Sequence, residues 1–326
     1  MADTFDDYLA TILAAVQDEA GGEVHEVPRA LAEADPGLLA AALCTTDGEL
    51  HSVGDDEHEA TIQSVSKAFV YALALEQHGI GEVLRAVDVE PSGEAYNVIS
   101  VEAESKRPRN PMINAGALLV HALVGERGAE QDERVEIIRS RLSAMAGREL
   151  SIDEEAAKDE LSQAHRNLAI AHMLRAEGVM PDDDPVDVVR GYTRQCSILV
   201  TPRDLAVMAA TLANGGYRPG EDEEVVSAPV ARHTLSVMAT CGMYTAAGDW
   251  MSEIGIPAKS GVSGAIMGAL PGRVGIATYA PRLDRHGTSV RGRAIFERLS
   301  DELDLHLLDD PHRQDTLWDR LRQQEA

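Results

Sequence analysis

Hydrophobic positions recur with a helical period along much of the 326-residue chain. Apolar residues three and four positions apart predict an N-terminal helix within 3–20. A denser apolar run predicts a helix from Ser64 to His78, ended by Gly79. The region 112–250 is predicted to be mostly helical, and its clearest helical segments are 112–125, 131–146, 153–176, 201–213 and 228–240.

Short strand patterns lie on both sides of this helical region. Two apolar runs around the turn 46–48 predict a hairpin, and after Ile256 three runs separated by Gly and Pro predict further strands at 256–259, 265–270 and 274–279. A final helix is predicted near 290–303. The order predicts a mixed α/β (α+β) fold, with one sheet built from both ends of the chain and a helical lobe inserted between them.

We therefore expect a single catalytic domain over 1–303. Its sheet lobe would comprise 25–63 and 250–303, its helical lobe 80–245, and an acidic tail would follow at 304–326. A cleft between two such lobes is a common place for a small-molecule site.

Charge and composition narrow the class of function. The chain has 55 acidic and 29 basic residues, a formal net charge of −26, so we expect no nucleic-acid partner, because phosphate binding needs a basic face. No apolar run reaches the ~18 residues that cross a bilayer, and the acidic start does not resemble a secretion signal. We expect a cytoplasmic protein that does not contact membranes.

Cysteine and histidine spacing gives no sign of a metal. Cys44, Cys196 and Cys241 form neither a disulfide framework nor a CxxC pair, and the eleven histidines contain no HExxH pattern. We expect no metal and no cofactor, and we interpret Cys196 as a small buried residue rather than a nucleophile.

The first catalytic candidate is the S-x-x-K pattern of Ser64 and Lys67, at the start of a predicted helix. One helical turn brings the amine within reach of the hydroxyl, and the helix N-terminus favours a developing oxyanion. With 18 serines and 4 lysines in the chain, the pattern is expected by chance about 0.2 times. Taken alone, it is equally compatible with a polar pair that caps an ordinary helix.

The second candidate is Lys259-Ser260-Gly261, which resembles the K-T-G element that accompanies S-x-x-K in penicillin-recognising enzymes. On the predicted strand, the backbone of Val262 would supply a second oxyanion donor beside that of Ser64. The third element of those enzymes, S-D-N, is absent, because no Asn is preceded two positions earlier by Ser or Tyr. That absence argues against a β-lactamase or transpeptidase.

Longer segments closely resemble the bacterial serine-dependent glutaminase family. The resemblance covers about 25–300, most of the chain, and its segments include 90–93 (EPSG), 107–117 (RPRNPMINAGA), 191–197 (GYTRQCS), 201–216 (TPRDLAVMAATLANGG), 243–244 (MY), 257–262 (PAKSGV) and 270–273 (LPGR). The resemblance implies a serine β-lactamase-like fold with an antiparallel sheet flanked by helices, L-glutamine as substrate, no cofactor, and a homodimer or homotetramer.

The resemblance also assigns the site residues. It implies a catalytic group of Ser64 as nucleophile and Lys67 as its base, with Tyr192 and Lys259, and substrate contacts from Ser64, Asn114, Glu160, Asn167, Tyr192, Tyr244 and the backbone of Val262. The chain departs from the family pattern at neighbouring positions, namely Tyr96, Val98 and Asp159.

These residue types suit amide hydrolysis. A serine hydroxyl needs a base to attack an amide, and Lys67 can serve if burial and the like charge of Lys259 lower its pKa. Glu160 suits the α-ammonium of glutamine, while Tyr192 or Lys67 could pass a proton to the departing ammonia. Two alternatives stay open: another S-x-x-K hydrolase, such as a β-lactamase or esterase, and a non-catalytic glutamine-sensing or interaction protein.

Overall fold

The computed structural model describes residues 4–93, 101–102, 104–181, 183–310, 313 and 316–325. Its central element is a five-stranded antiparallel sheet with the strand order β2-β1-β7-β6-β5. The strands are β1 (Ala40–Thr45), β2 (Leu50–Gly54), β5 (Ala258–Ser260), β6 (Ala265–Leu270) and β7 (Val274–Tyr279). The short strands β3 (Ala60–Thr61) and β4 (Leu199–Val200) form a separate pair.

The sheet joins the two ends of the chain. β1 pairs with β7 along its whole length, from Ala40 opposite Tyr279 to Thr45 opposite Val274. The β1–β2 hairpin and the β6–β7 hairpin extend the sheet on either side of this pairing. The prediction of one sheet assembled from both ends is confirmed.

Fourteen α-helices lie in the described part of the chain. They are α1 (Phe5–Val16), α2 (Arg29–Ala32), α3 (Ser66–His78), α4 (Ile80–Ala86), α5 (Asn114–Leu123), α6 (Gln131–Ala146), α7 (Glu154–Ser162), α8 (His165–Ala176), α9 (Pro185–Cys196), α10 (Pro202–Ala213), α11 (Ala228–Cys241), α12 (Ala247–Glu253), α13 (Val290–Leu303) and α14 (Leu317–Glu325). Short 3₁₀ turns precede α3 (Gln63–Val65) and α12 (Tyr244–Ala246). Among the described residues, no helix combines the length and apolar character required to span a bilayer.

The sheet separates two hydrophobic cores. Alternate strand residues, such as Ala42 and Ala277, face the helices of the middle of the chain, while Leu43 and Ile276 face α1, α13 and α14. Small residues predominate on the first face, so α10 packs unusually close to β7. A Cβ atom on Gly275 would lie 2.1 Å from the backbone nitrogen of Ala210.

Some sequence predictions need correction. The single helix predicted over 153–176 is interrupted at Gln163 and Ala164, which separates α7 from α8. The helix α9 was not among the predicted segments, although Asp184 caps it and Pro185 occupies its first turn. In the segment expected to be an acidic tail, α14 buries Trp318 against Phe5, with ring centroids 5.1 Å apart.

The close packing of α10 on β7 gives a stability prediction. We expect Gly275→Ala to destabilise the fold by about 3 kcal/mol, because the added methyl meets backbone atoms that cannot move aside. The same change at Gly81 in α4, where a Cβ atom meets nothing within 4 Å, should stabilise it by about 0.5–1 kcal/mol. Denaturant unfolding of both variants measures the difference; a Gly275→Ala protein as stable as wild type would contradict the packing.

Candidate active site

Ser64 lies in the 3₁₀ turn that leads into α3, so the S-x-x-K pattern stands at the start of a helix as predicted. The preceding residue, Gln63, has a φ of +48°, in the left-handed region that non-glycine residues seldom adopt. Ser64 is 8% exposed, and Lys67, one turn later, is 2% exposed. The turn therefore presents the hydroxyl at a cavity wall and keeps the amine behind it.

The Lys67 amine is held by oxygen atoms. Nζ donates to Oδ1 of Asn114 at 2.7 Å and to the carbonyl of Met112 at 3.3 Å. The Asn114 amide in turn donates to Oδ1 of Asn167 at 2.9 Å, which links α5 to α8. Burial lowers the pKa of Lys67 to about 8, with Cys196 and Glu160 acting in the opposite direction. The Lys67 side chain can therefore lose its proton near neutral pH.

The second lysine of the site, Lys259, is fully buried on β5. Its Nζ donates to the carbonyl of Ser260 at 2.6 Å and lies 3.8 Å from the ring centroid of Tyr244. Burial and then the charge of Lys67 hold the pKa of Lys259 well below its usual range. Burial therefore disfavours the charged form of Lys259, and the nearby charge of Lys67 adds to this effect. The sequence predicts that the charge of Lys259 lowers the pKa of Lys67. In the structure the dependence runs the other way, and the charge of Lys67 lowers the pKa of Lys259.

Gly261 brings the two halves of the site together. A Cβ atom there would lie 3.2 Å from both the carbonyl oxygen of Ile62 and a methyl group of Val65, so only glycine fits without displacement. Val262 follows immediately and reaches the wall of the cavity that holds Ser64. Because β5 ends at Ser260, Val262 lies in the turn after the strand and not on the strand, which corrects the prediction.

The cavity has a volume of about 350 Å³. Six of the predicted site residues line it: Ser64, Asn114, Glu160, Asn167, Tyr192 and Val262. The other three lie beside it. Lys67 and Lys259 are buried behind its wall, and Tyr244 lines a larger neighbouring cavity of about 850 Å³. The Tyr244 ring covers both amines, with Nζ of Lys67 at 5.8 Å from its centroid.

Glu160 supplies a carboxylate to this cavity from the end of α7. Its Oε2 accepts a hydrogen bond from Nε2 of Gln63 at 3.2 Å. Burial raises the pKa of Glu160 to about 7, although the Gln63 bond and the charge of Lys67 oppose the rise. A cation placed beside Glu160 would favour its ionised form.

Tyr192 and Cys196 face the cavity from α9. Burial raises the pKa of the Tyr192 hydroxyl well above its usual range, so that it stays protonated and can donate. Burial also raises the pKa of the Cys196 thiol, which hydrogen-bonds with Tyr192. A protonated buried thiol agrees with the interpretation of Cys196 as a small buried residue.

The cavity also contains residues that sequence reasoning did not select. Gln63, His25, Val27 and Arg166 line it. Of these, only Gln63 carried a sequence signal, its position next to the candidate nucleophile. Across the described residues, no group of three His, Cys, Asp or Glu side chains is placed to hold a metal ion. Of the positions that depart from the family pattern, Tyr96 and Val98 lie outside the described residues, and Asp159 accepts a bond from the backbone of Arg29.

Comparison with known proteins identifies the family. The glutaminase family model matches residues 22–308. A glutaminase of Corynebacterium efficiens is 52% identical over 302 residues, which cover 93% of this chain and 71% of that protein. A glutaminase of Clavibacter michiganensis is 49% identical and covers 91% of this chain and 90% of its own. The chain belongs to the glutaminase family.

Solved glutaminase structures have the same fold. Mglu in its glutamate form superposes with a TM-score of 0.90 at 49% identity, over 94% of this chain and 70% of that one. The probable glutaminase YbaS also gives a TM-score of 0.90, at 31% identity, over 95% of this chain and 100% of that one. These proteins have the β-lactamase-like fold, so the predicted fold class is confirmed.

The raised pKa of Glu160 in this glutaminase predicts a pH-dependent stability. Between pH 5.5 and 7 the folded Glu160 holds a proton that the unfolded carboxyl has already lost, so stability falls as the pH rises. The free energy of unfolding of wild type relative to Glu160→Gln should therefore decrease by about 1–2 kcal/mol between pH 5.5 and 8. Urea unfolding at both pH values tests this; a constant difference would show that Glu160 ionises normally.

Proposed function

We propose that this glutaminase hydrolyses the side-chain amide of L-glutamine to L-glutamate and ammonia through an acyl-enzyme on Ser64. One observation carries the assignment of the nucleophile. Ser64 lies at a cavity wall, one helical turn before a buried lysine whose amine has a lowered pKa. A serine paired with such an amine can lose its proton as it attacks an amide.

In the first step, the neutral amine of Lys67 accepts the proton of the Ser64 hydroxyl. The Ser64 oxygen bonds to the side-chain carbonyl carbon of glutamine, and the carbonyl oxygen becomes an oxyanion. The backbone N–H groups of Ser64 and Val262 would stabilise this oxyanion, since both residues line the cavity. Asn114 keeps hydrogen-bonding the Lys67 ammonium that forms.

In the second step, the bond between carbon and nitrogen breaks and ammonia leaves. The nitrogen needs a proton, which the Lys67 ammonium or the Tyr192 hydroxyl can donate. Burial raises the pKa of Tyr192 and disfavours its tyrosinate, so Tyr192 can pass on its proton only if the Lys67 ammonium returns one to it in the same step. Water then attacks the γ-glutamyl ester, which frees L-glutamate and returns the proton to the Ser64 oxygen.

The remaining polar residues would hold the ends of the substrate. Glu160 would pair with the α-ammonium of the substrate. This pairing would favour the ionised carboxylate, which burial disfavours in the free protein. Asn114 and Asn167 offer amide groups to the α-carboxylate and the side chain of the substrate. Tyr244 would close the site from the neighbouring cavity, with the Lys259 amine against its ring.

This cavity disfavours the two alternatives. A β-lactamase or general esterase has no need for a carboxylate in the cavity whose ionised form a cationic group on the substrate would favour. A non-catalytic glutamine sensor has no need for two buried lysines behind a serine, because burying an amine costs stability. The site is therefore suited to cleavage of an amino-acid amide rather than to binding alone.

We further propose that the protein acts in the cytoplasm as a homodimer or homotetramer. We also propose one catalytic domain over 1–303. Its sheet lobe comprises 25–63 and 250–303, and its helical lobe comprises 80–245. The strong negative charge, −26, supports the exclusion of nucleic acid as a partner. Light scattering coupled to gel filtration would measure the oligomeric state directly.

The nucleophile is tested by ammonia release. Ser64→Ala should lose at least about 1,000-fold in kcat on L-glutamine, because the variant lacks the hydroxyl proposed to attack the amide carbon. Wild type should hydrolyse L-asparagine with a kcat/KM lower by about 100-fold, since its amide is one methylene short of Ser64 when the α-groups are held. Retained turnover in well-folded Ser64→Ala would overturn the assignment.

The pH profile tests the two titrating groups. In wild type, kcat/KM should rise with pH through two ionisations, near 7 for Glu160 and near 8 for Lys67, because each must lose a proton to function. Glu160→Gln should lack the lower ionisation, keep the upper one and show a higher KM. A variant profile identical in shape to that of wild type would exclude Glu160 as the lower group.

A further inference from the structure

A chain of buried polar side chains leads from α5 to the peptide bond before Ser64. The Ser66 hydroxyl donates to the carbonyl oxygen of Gln63 at 2.8 Å. The same hydroxyl accepts from Nε2 of Gln195 at 3.0 Å, and Oε1 of Gln195 lies 2.8 Å from Nδ1 of His121. Ser66, Gln195 and His121 are at most 1% exposed. We call these three residues the positioning chain.

Each bond in the positioning chain has a defined direction. A serine hydroxyl has one proton, and the one on Ser66 goes to the Gln63 carbonyl, which leaves its lone pairs for the Gln195 amide. Since Oε1 of Gln195 can only accept, Nδ1 of His121 must carry the proton. The chain thus runs from a histidine N–H to a backbone carbonyl with a donor at every step.

The opposite nitrogen of His121 completes the arrangement. Nε2 lies 3.2 Å from Oε1 of Gln131, and burial lowers the pKa of His121 to about 4, so the ring is neutral at pH 7. A neutral ring has a single N–H and cannot donate to both amide oxygens. With that proton on Nδ1, the Gln131 amide must be turned so that its NH₂ group, in the place given to Oε1, donates to Nε2. Gly191 makes room for this contact, because a Cβ atom there would lie 2.5 Å from Nε2.

The end of the chain bears on catalysis through the geometry of the peptide. The peptide group is planar and trans, so the carbonyl of Gln63 and the N–H of Ser64 point in opposite directions. Gln63 has a φ of +48°, a conformation that surrounding contacts must hold in place. Fixing the Gln63 carbonyl from one side therefore fixes the Ser64 N–H on the other.

We propose that Ser66, Gln195 and His121 are positioning residues that hold the Gln63–Ser64 peptide so that the Ser64 N–H meets the oxyanion. The proposal rests on the assignment of Ser64 as nucleophile. None of the three needs to touch the substrate. Their loss should weaken binding of the transition state while leaving binding of glutamine itself nearly unchanged.

The first test removes the last hydroxyl of the chain. Ser66→Ala should reduce kcat on L-glutamine by about 10- to 100-fold, less than the loss of a whole oxyanion donor, with KM within about 3-fold of wild type. Ser300→Ala is the matched control, because the Ser300 hydroxyl is also buried and donates to a backbone carbonyl, that of Ile254, at 2.6 Å. It should lower the melting temperature to a similar extent and leave kcat unchanged.

The second test exchanges the histidine at the far end. In His121→Asn, the amide nitrogen can occupy the place of Nδ1–H and donate to Gln195, so kcat should stay within about 3-fold of wild type. His121→Leu has a similar volume without the donor and should lose about as much kcat as Ser66→Ala. The double variant Ser66→Ala/His121→Leu should be no slower than Ser66→Ala alone, because both act through one chain.

Several results would overturn the proposal. These are a kcat of Ser66→Ala within 3-fold of wild type, equal losses of kcat in Ser66→Ala and Ser300→Ala, or losses that appear only in KM. An Asn at position 121 no better than Leu, or additive losses in the double variant, would equally overturn it. Failure of the nucleophile assignment is distinguishable, since it would appear as activity in Ser64→Ala, whereas these tests use proteins that keep Ser64.

Discussion

Backbone hydrogen bonds between β1 and β7 join strands from opposite ends of the chain, and the geometry of the site depends on them. β7 carries β6, and β6 carries β5, so the pairing also places Gly261 against the turn that holds Ser64. The helices between β2 and β5 then supply Glu160 and Tyr192 to the same cavity. No contiguous segment contains the site, which exists only once the sheet has closed.

Two buried lysines make this arrangement costly, and the structure limits the cost in different ways for each. The Lys67 amine donates hydrogen bonds to Asn114 and to a backbone carbonyl, although burial still lowers its pKa to about 8. Lys259 donates to one backbone carbonyl beside the Tyr244 ring, and burial together with the charge of Lys67 holds its pKa well below the usual range. Glu160, whose pKa is raised, is a third unfavourable burial. The ammonium group of a bound substrate would offset the cost of ionising Glu160. The stability that the free protein loses at this residue would then contribute to binding of the substrate.

The sequence predicted the fold best where local pattern and final structure agree. The bounds of β6, β7 and α13 follow directly from apolar runs between glycine, proline and serine signals. The hydrophobic pattern did not predict the helix boundaries that depend on tertiary contacts. No glycine or proline marks the break between α7 and α8, where Gln163 and Ala164 interrupt the helical run. α9 begins with acidic residues and proline that resemble a loop until its cap is recognised.

The residues of the site show the same contrast between those predicted from a local sequence pattern and those that only tertiary contacts bring together. Ser64 and Lys67 were predicted from their spacing, since one helical turn can bring a proposed nucleophile and its base together. The proposed substrate contacts came from resemblance to the family. Residues that act through another residue have no such spacing. Gln195 belongs to α9, the helix that also carries Tyr192. Its side-chain amide donates a hydrogen bond to the Ser66 hydroxyl and does not line the cavity. Its partner His121 comes from a different helix, and nothing in the sequence relates the two positions. A catalytic group is constrained by the reaction, whereas the group that aims it is constrained only by the fold, so its role becomes visible only from the hydrogen bonds.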